Sequence, residues 1–363
     1  MEKIVIITPS LNGGGAEKVA VNLANYYASV GYTVDLVVFK LIGSYQSLVN
    51  DQVNLVNLNV SRTRYVFFKV RNYLKNNQNA RVLSVIRDAN IFVGLAALGL
   101  RLKCLVFREA ETLTPVQNMK RLKKVIYKLL MKISYSLATR VIANSSDTKS
   151  DLISHKIVDK EKIKVIRNPV LVSDYEKLKL CKVEHKWFKD TNIKVILSVG
   201  RLHASKNFSF LISVFKDIYN LDDKLRLMIV GEGSEESYLL NQISQSGLTD
   251  VVELVPFQEN IYPYYQNADV FALTSEWEGF GNVLVEALSV GLPVVSTNCP
   301  GGPKMILDGG KYGCLVPIGN EKLYAEALIS ALNEGEMLHF ARVEYAKRFS
   351  VEKVAALYLK IMQ

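Results

Sequence analysis

Asp269-Val-Phe-Ala-Leu-Thr-Ser-Glu-Trp-Glu-Gly-Phe-Gly-Asn-Val-Leu-Val-Glu-Ala-Leu288 is the stretch on which the reading of this chain turns. Its first apolar run, to Leu273, reads as a strand buried on both faces, and the polar, glycine-bearing residues 274–281 read as a loop. From Asn282 the apolar residues fall at helical spacing. Strand, glycine loop and helix in that order form the repeating element of a doubly wound α/β sheet, whose ligands gather in the loops after the strands. Glu286 falls about one turn inside the helix and points toward a ligand held over the helix N-terminus. Glu278 sits on the loop. Carboxylates accept hydrogen bonds in pairs from vicinal hydroxyls, so two glutamates eight residues apart in this setting point to a sugar.

The same element recurs on either side. Lys194-Val-Ile-Leu-Ser-Val-Gly200, Leu225–Val230, Val251–Val255 and Val294–Ser296 read as further strands of one parallel sheet. In the first half, strand 3–8, a glycine turn, a helix from about 15 to 30 and strand 33–39 form a βαβ unit. Apolar stretches near 82–86, 91–98, 104–107 and 140–144 continue it. After Lys164-Val-Ile-Arg-Asn-Pro169 the pattern gives way to a polar, Lys-rich segment. The expected organisation is a first Rossmann-like domain over 1–170, a link over 171–192, a second such domain over 193–350, and a last helix over 351–363 packing back on the first domain. Two such domains facing each other would form an interdomain cleft.

At 363 residues and 49% hydrophobic content, the chain is long enough for two full cores. Cys104, Cys181, Cys299 and Cys314 lack the close spacing of zinc or dithiol sites and read as reduced core residues. The N-terminus runs straight into Ile4-Val-Ile-Ile7, a strand and not a secretory signal, and no apolar run approaches the length of a membrane span. The expected location is cytoplasmic, peripheral on the inner face of the plasma membrane.

Charge is lopsided. Residues 1–184 carry 29 Lys and Arg against 14 Asp and Glu, whereas 185–363 carry 16 against 21. Lys120, Arg121, Lys123, Lys124, Lys128 and Lys132 concentrate the excess in one segment, with Leu122, Ile126, Leu129 and Ile133 on the neighbouring helical face. That pattern is a basic amphipathic helix, which an anionic membrane surface attracts at ~1 kcal/mol per basic residue. The alternative is a helix that packs those apolar residues into the core. No zinc finger, RNA-recognition signature or basic zipper accompanies the charge, so nucleic acid is not an expected partner.

Two more loops carry chemistry. Gly13, Gly14 and Gly15 open the first helix, where close backbone approach and free N–H groups favour a diphosphate or sugar; their consecutive spacing is not that of a dinucleotide fingerprint. Gly200-Arg-Leu-His-Ala-Ser-Lys-Asn207 places Arg201 and Lys206 on one strand-to-helix turn, a fork and a point charge able to neutralise a diphosphate without a metal.

Taken together, GGGAE near the start, RNP at 167–169, VGRL with Lys206, VGEG at 230–233 and EGFGNVLVE make the chain resemble, over nearly its whole length, the retaining glycosyltransferases of family 4, with the GT-B architecture. The resemblance implies that Glu278 contacts the donor hexose, Glu286 the ribose, Arg201 and Lys206 the diphosphate, and the backbone at Gly279, Phe280, Gly281 and Asn282 the phosphates or sugar. It adds Gly231 and Phe257 to the donor set and brings Gly14 and Gly15 to the diphosphate. It implies a UDP-sugar donor, no cofactor, no bound metal, and a glycan acceptor on polyprenyl diphosphate, as in bacterial surface-polysaccharide synthesis (O-antigen or capsule). The chain departs from the family at Met305, where relatives often carry glutamate, and after Val106-Phe107-Arg108, where many carry histidine. There Glu109 is the candidate pocket residue. Two other readings fit the architecture: a UDP-sugar epimerase, and a membrane-associated scaffold without activity.

Overall fold

The computed structural model describes residues 2–12, 14–117, 119–335 and 337–363, with Pro115 described by its backbone alone. Gly13, the first glycine of the opening loop, lies outside them. The chain divides into two compact units, Met1–Val170 with Phe349–Gln363, and Leu171–Arg348.

The first unit is built on seven parallel strands: β1 (Lys3–Thr8), β2 (Thr33–Val38), β3 (Asn54–Asn57), β4 (Arg81–Ser84), β5 (Cys104–Glu109), β6 (Arg140–Ala143) and β7 (Ile163–Val165), in the order β3-β2-β1-β4-β5-β6-β7. Successive side chains of a strand point to opposite faces, and both faces here are covered. Val5 and Ile7 enter one core with Leu105 and Phe107, while Ile4 and Ile6 enter the other with Val106 and Tyr27. Residues 91–98, apolar enough to suggest a strand, lie mostly in the helix Arg87–Ala97.

The C-terminal helix, Val351–Met362, belongs to this unit. Ser350 caps it by accepting from the Lys353 N–H. Val354, Ala355, Tyr358 and Met362 are buried, and the Tyr27 hydroxyl of the first helix (Gly15–Ser29) donates to Ala355 O at 2.9 Å. The chain returns to the unit beside its point of exit: Val170 N–H donates to Phe349 O at 2.9 Å.

The second unit carries six parallel strands: β8 (Lys194–Val199), β9 (Leu225–Val230), β10 (Val252–Val255), β11 (Val270–Leu273), β12 (Val294–Thr297) and β13 (Cys314–Val316), in the order β10-β9-β8-β11-β12-β13. Residues 171–192, expected as a separate link, fold onto this unit. Trp187 is buried, Tyr175 packs on Tyr262 with ring centroids 6.2 Å apart, and Asn260 donates to Leu178 O at 2.8 Å. All four cysteines are free. Cys104 and Cys299 are buried as expected, but Cys181 and Cys314 are exposed.

Two buried carboxylates hold the first unit together. Asp35 on β2 is 3% exposed; it takes Lys3 Nζ at 2.7 Å, Asn54 Nδ2 at 2.9 Å and the Tyr73 hydroxyl. Burial pushes its carboxyl up, and these donors outweigh burial, leaving it below the ordinary value. Glu109, at the end of β5, is fully buried. Its Oε1 takes Arg87 Nε at 3.1 Å, Arg87 Nη2 at 3.0 Å and its neighbour Ala110 N–H at 3.2 Å, and its Oε2 takes the Tyr135 hydroxyl at 2.6 Å. Arg87 also donates to the carbonyls of Glu111 and Thr112. The expectation of Glu109 as a pocket residue is therefore corrected: the carboxylate is spent neutralising a buried arginine that pins the loop after β5.

A carboxyl whose folded value is depressed stabilises above its unfolded value, and that contribution is lost as pH falls through the folded one. The wild type is thus expected to lose stability in acid, and Asp35→Asn to lose less between pH 7 and pH 3, as read from urea midpoints. Glu109→Ala leaves the Arg87 charge buried and unpaired, and is expected to cost about 3–5 kcal/mol by the same measurement.

Candidate active site

Parallel sheets of this order change direction of winding at one point, between β8 and β11 in the second unit, and the loops following those two strands flank the crevice there. Those loops are 200–207 and 274–281, which carry most of the candidate residues. Each is fixed by contact with its neighbours. Thr274 Oγ1 donates to Lys206 O at 2.8 Å and Glu276 N–H to Ser205 O at 2.9 Å, so the two loops are laced together. Behind the second loop lies the segment Pro300-Gly301-Gly302. Glu278 N–H donates to Pro300 O at 3.0 Å. A side chain at Gly301 would stand 2.0 Å from Glu278 O, and one at Gly302 1.8 Å from Phe280 O, so only glycine admits this approach.

Within this frame Lys206 Nζ meets Glu278 Oε1 at 2.5 Å, and Ser275 Oγ donates to the same oxygen at 2.7 Å. The Glu278 side chain is 7% exposed and that of Lys206 22%, so the pair is largely withdrawn from solvent, the lysine less so. Arg201, on the same loop as Lys206, is exposed and makes no hydrogen bond or ion pair among the described residues. Gly281, in the left-handed region at φ 96°, begins the helix Asn282–Ser289, and Phe280 is buried beneath it. Glu286, 4% exposed, lies in the second turn of that helix, where its Oε2 accepts from the Tyr265 hydroxyl at 3.1 Å. Cys299, buried beside this group, has its thiol pushed up to about 12 by burial and by the Glu278 charge, so it stays protonated.

The structure joins Lys206 to Glu278 and sets Glu286 on the helix that the Glu278 loop opens. Gly231 stands apart in role. A side chain there would meet Gly200 O at 1.9 Å, so this glycine lets the loop after β9 back onto the one after β8; Leu202 N–H to Glu232 O at 2.8 Å completes the contact. Phe257 lies beyond edge strand β10, 41% exposed, its N–H donating to Glu232 Oε1 at 3.3 Å. In the first unit, Gly14 is the N-cap of the first helix and Gly15 its first residue. Sequence reasoning passed over Ser275 and Tyr265, since a serine in a loop and a tyrosine in an apolar helix carry no signature.

The basic helix runs Arg121–Ser136 with Lys120 as its N-cap. Its apolar stripe faces outward, against the alternative of core packing: Leu122 is 74% exposed, Val125 59%, Ile126 50%, Leu129 56% and Ile133 39%. Met131, Ser134 and Tyr135 anchor the opposite face. Lys120, Arg121, Lys123 and Lys132 are exposed, and Lys124 and Lys128 half-buried.

Comparison with known proteins bears on both halves of the chain. The family model described as Glycosyltransferase Family 4 matches residues 13–173, and that described as Glycosyl transferases group 1 matches 182–349. The chain is 26% identical, over all of both proteins, to the N-acetylgalactosamine-N,N'-diacetylbacillosaminyl-diphospho-undecaprenol 4-alpha-N-acetylgalactosaminyltransferase of Campylobacter jejuni. It is also 26% identical to the amylovoran biosynthesis glycosyltransferase AmsD of Erwinia amylovora, over 86% of this chain and 85% of that one. Its fold matches Anabaena Alr3699/HepE, solved in complex with UDP and glucose, with a TM-score of 0.80 and 21% identity over 99% of each chain. The fold class is GT-B. With one model matching the first domain and the other the second, in the same order, the chain belongs to the family 4 glycosyltransferases.

Proposed function

We propose that this enzyme moves a hexose or N-acetylhexosamine from a UDP-sugar to a glycan carried on polyprenyl diphosphate, in bacterial surface-polysaccharide synthesis, with retention of configuration and without a metal. The observation that carries the donor half is the Lys206–Glu278 pair at the switch point, with Glu286 on the helix behind it. An ammonium has three donors, so Lys206 can hold Glu278 and reach diphosphate oxygens at once, while the exposed guanidinium of Arg201 supplies a fork. Glu278 then accepts from the sugar hydroxyls and Glu286 from the ribose. As the bond from the sugar to the diphosphate breaks, the two cations stabilise the charge on the departing UDP, and the acceptor hydroxyl attacks from the face that UDP leaves. The names of the Campylobacter and Erwinia relatives support a lipid-linked acceptor and a surface polysaccharide.

The acceptor half rests on the basic helix. Among the described residues no helix is long and apolar enough to cross a membrane. The outward apolar stripe between rows of lysines matches a helix that lies in an anionic interface, bringing the enzyme to lipid-borne substrate.

UDP is expected to raise the melting temperature of the wild type, and Arg201→Ala and Glu286→Ala each to lower transfer tens- to thousands-fold, about 2–4 kcal/mol of transition-state stabilisation. Unchanged turnover in either folded variant would displace the donor site. In flotation assays the wild type is expected to rise with phosphatidylglycerol vesicles. Replacing Lys123, Lys124 and Lys128 together by glutamine should weaken that binding by about a hundredfold, at ~1 kcal/mol for each lysine; binding that ignores this change removes the helix from the interface.

A further inference from the structure

Tyr265 is fully buried on the short helix Tyr262–Asn267, which has Pro263 in its first turn, and nothing in the site as derived so far requires its hydroxyl. The ring packs edge-on against Phe271 of β11 with centroids 5.5 Å apart, and against Tyr262 at 6.5 Å. These contacts orient the ring, and its oxygen stands 3.1 Å from Glu286 Oε2. Burial, reinforced by the Glu286 charge, pushes the phenol well above its ordinary value, so the proton stays on oxygen and the tyrosine faces the carboxylate as a donor. Tyr262 also lies within the field of Glu286 and is raised in the same sense, chiefly by burial.

The last torsion of a glutamate is soft and broadly distributed. A carboxylate that must take two vicinal hydroxyls at once needs that torsion held, because each hydrogen bond weakens steeply off its line. A carboxylate has about four acceptor positions, so accepting from a phenol is compatible with accepting from a diol. We propose that Tyr265 is a positioning residue for nucleotide recognition: it locks the plane of the Glu286 carboxylate so that the 2′ and 3′ hydroxyls of the donor's ribose are taken together. This rests on the reading of Glu286 as the ribose acceptor. The selectivity for ribose is thereby set from beneath the site, by a side chain that never touches the ligand.

The experiment measures Kd for UDP and for 2′,3′-dideoxy-UDP on the wild type, Tyr265→Phe, Tyr262→Phe and Glu286→Ala, with melting temperature recorded for each. Tyr265→Phe removes one atom and keeps the ring on Phe271. The wild type is expected to prefer UDP, and Glu286→Ala to lose the preference. Tyr265→Phe should weaken UDP about tenfold, ~1.4 kcal/mol, leave dideoxy-UDP unchanged, and raise KM for the UDP-sugar with little effect on kcat. Tyr262→Phe should behave as the wild type. A wild type indifferent to the hydroxyls, or a Glu286→Ala variant that still discriminates, overturns the ribose reading itself. If those two behave as expected and Tyr265→Phe discriminates like the wild type, or weakens both nucleotides equally, the positioning role is overturned and the tyrosine is a packing residue.

Discussion

A lysine from one strand-to-helix loop and a glutamate from the next meet at 2.5 Å, and the arrangement around them follows from keeping that pair in place. Neither charge is fully hydrated, so each needs the other and the hydroxyl of Ser275 to offset lost water. Their loops converge because parallel strands β8 and β11 are neighbours at the point where winding reverses. Each is backed by a neighbouring loop that approaches closely because it carries glycine: Gly231 against Gly200, and Gly301 and Gly302 against Glu278 and Phe280. The glycines around the site are thus divided between the loop that carries Glu278, with Gly279 and Gly281, and the loops that brace it and its neighbour, with Gly231, Gly301 and Gly302.

That division explains what was legible in the sequence. Strands such as Lys194–Val199 and Leu225–Val230 are continuous apolar runs because both their faces are buried, and they stood out. β3, with Asn54 and Asn57 at its ends, and three-residue β7 are edge strands with no such run, and they did not. Residues 91–98 misled because a buried helix is as apolar as a strand. In the candidate site, residue type and spacing singled out Arg201, Lys206, Glu278 and Glu286, all chemically assertive groups on loops or helix starts, and the structure sets them on the loops after β8 and β11 and the helix that follows. Glu109 was singled out on the same grounds, yet the partner that neutralises it, Arg87, is 22 residues away, and pairing at that distance leaves no local trace. Gly231 shows the converse limit: a glycine in a motif marks a need for closeness without saying whether the neighbour is ligand or backbone.

The helix Arg121–Ser136 presents a different balance. Burying a large aliphatic side chain is worth ~1.5–3 kcal/mol, and five of them here face solvent in one stripe. Continuous apolar patches of that kind on a monomer usually mark an interaction surface. The helix holds its position without them, through Met131, Ser134 and Tyr135; the Ser134 hydroxyl donates to Ile91 O at 2.9 Å and Tyr135 to Glu109. One buried glutamate therefore fixes both the loop after β5 and the seat of this helix.

The last helix lends the architecture an order in time. Residues 171–348 are contiguous, and that unit has all it needs once they have left the ribosome. The unit that begins the chain does not, because the side chains covering Tyr27 and the inner face of the first helix lie beyond residue 350 and are made only after the whole of the second unit. Synthesis normally favours the unit made first; here the unit begun first closes only after the second, so a chain lacking residues 351–363 would carry a complete second unit attached to an unclosed first one.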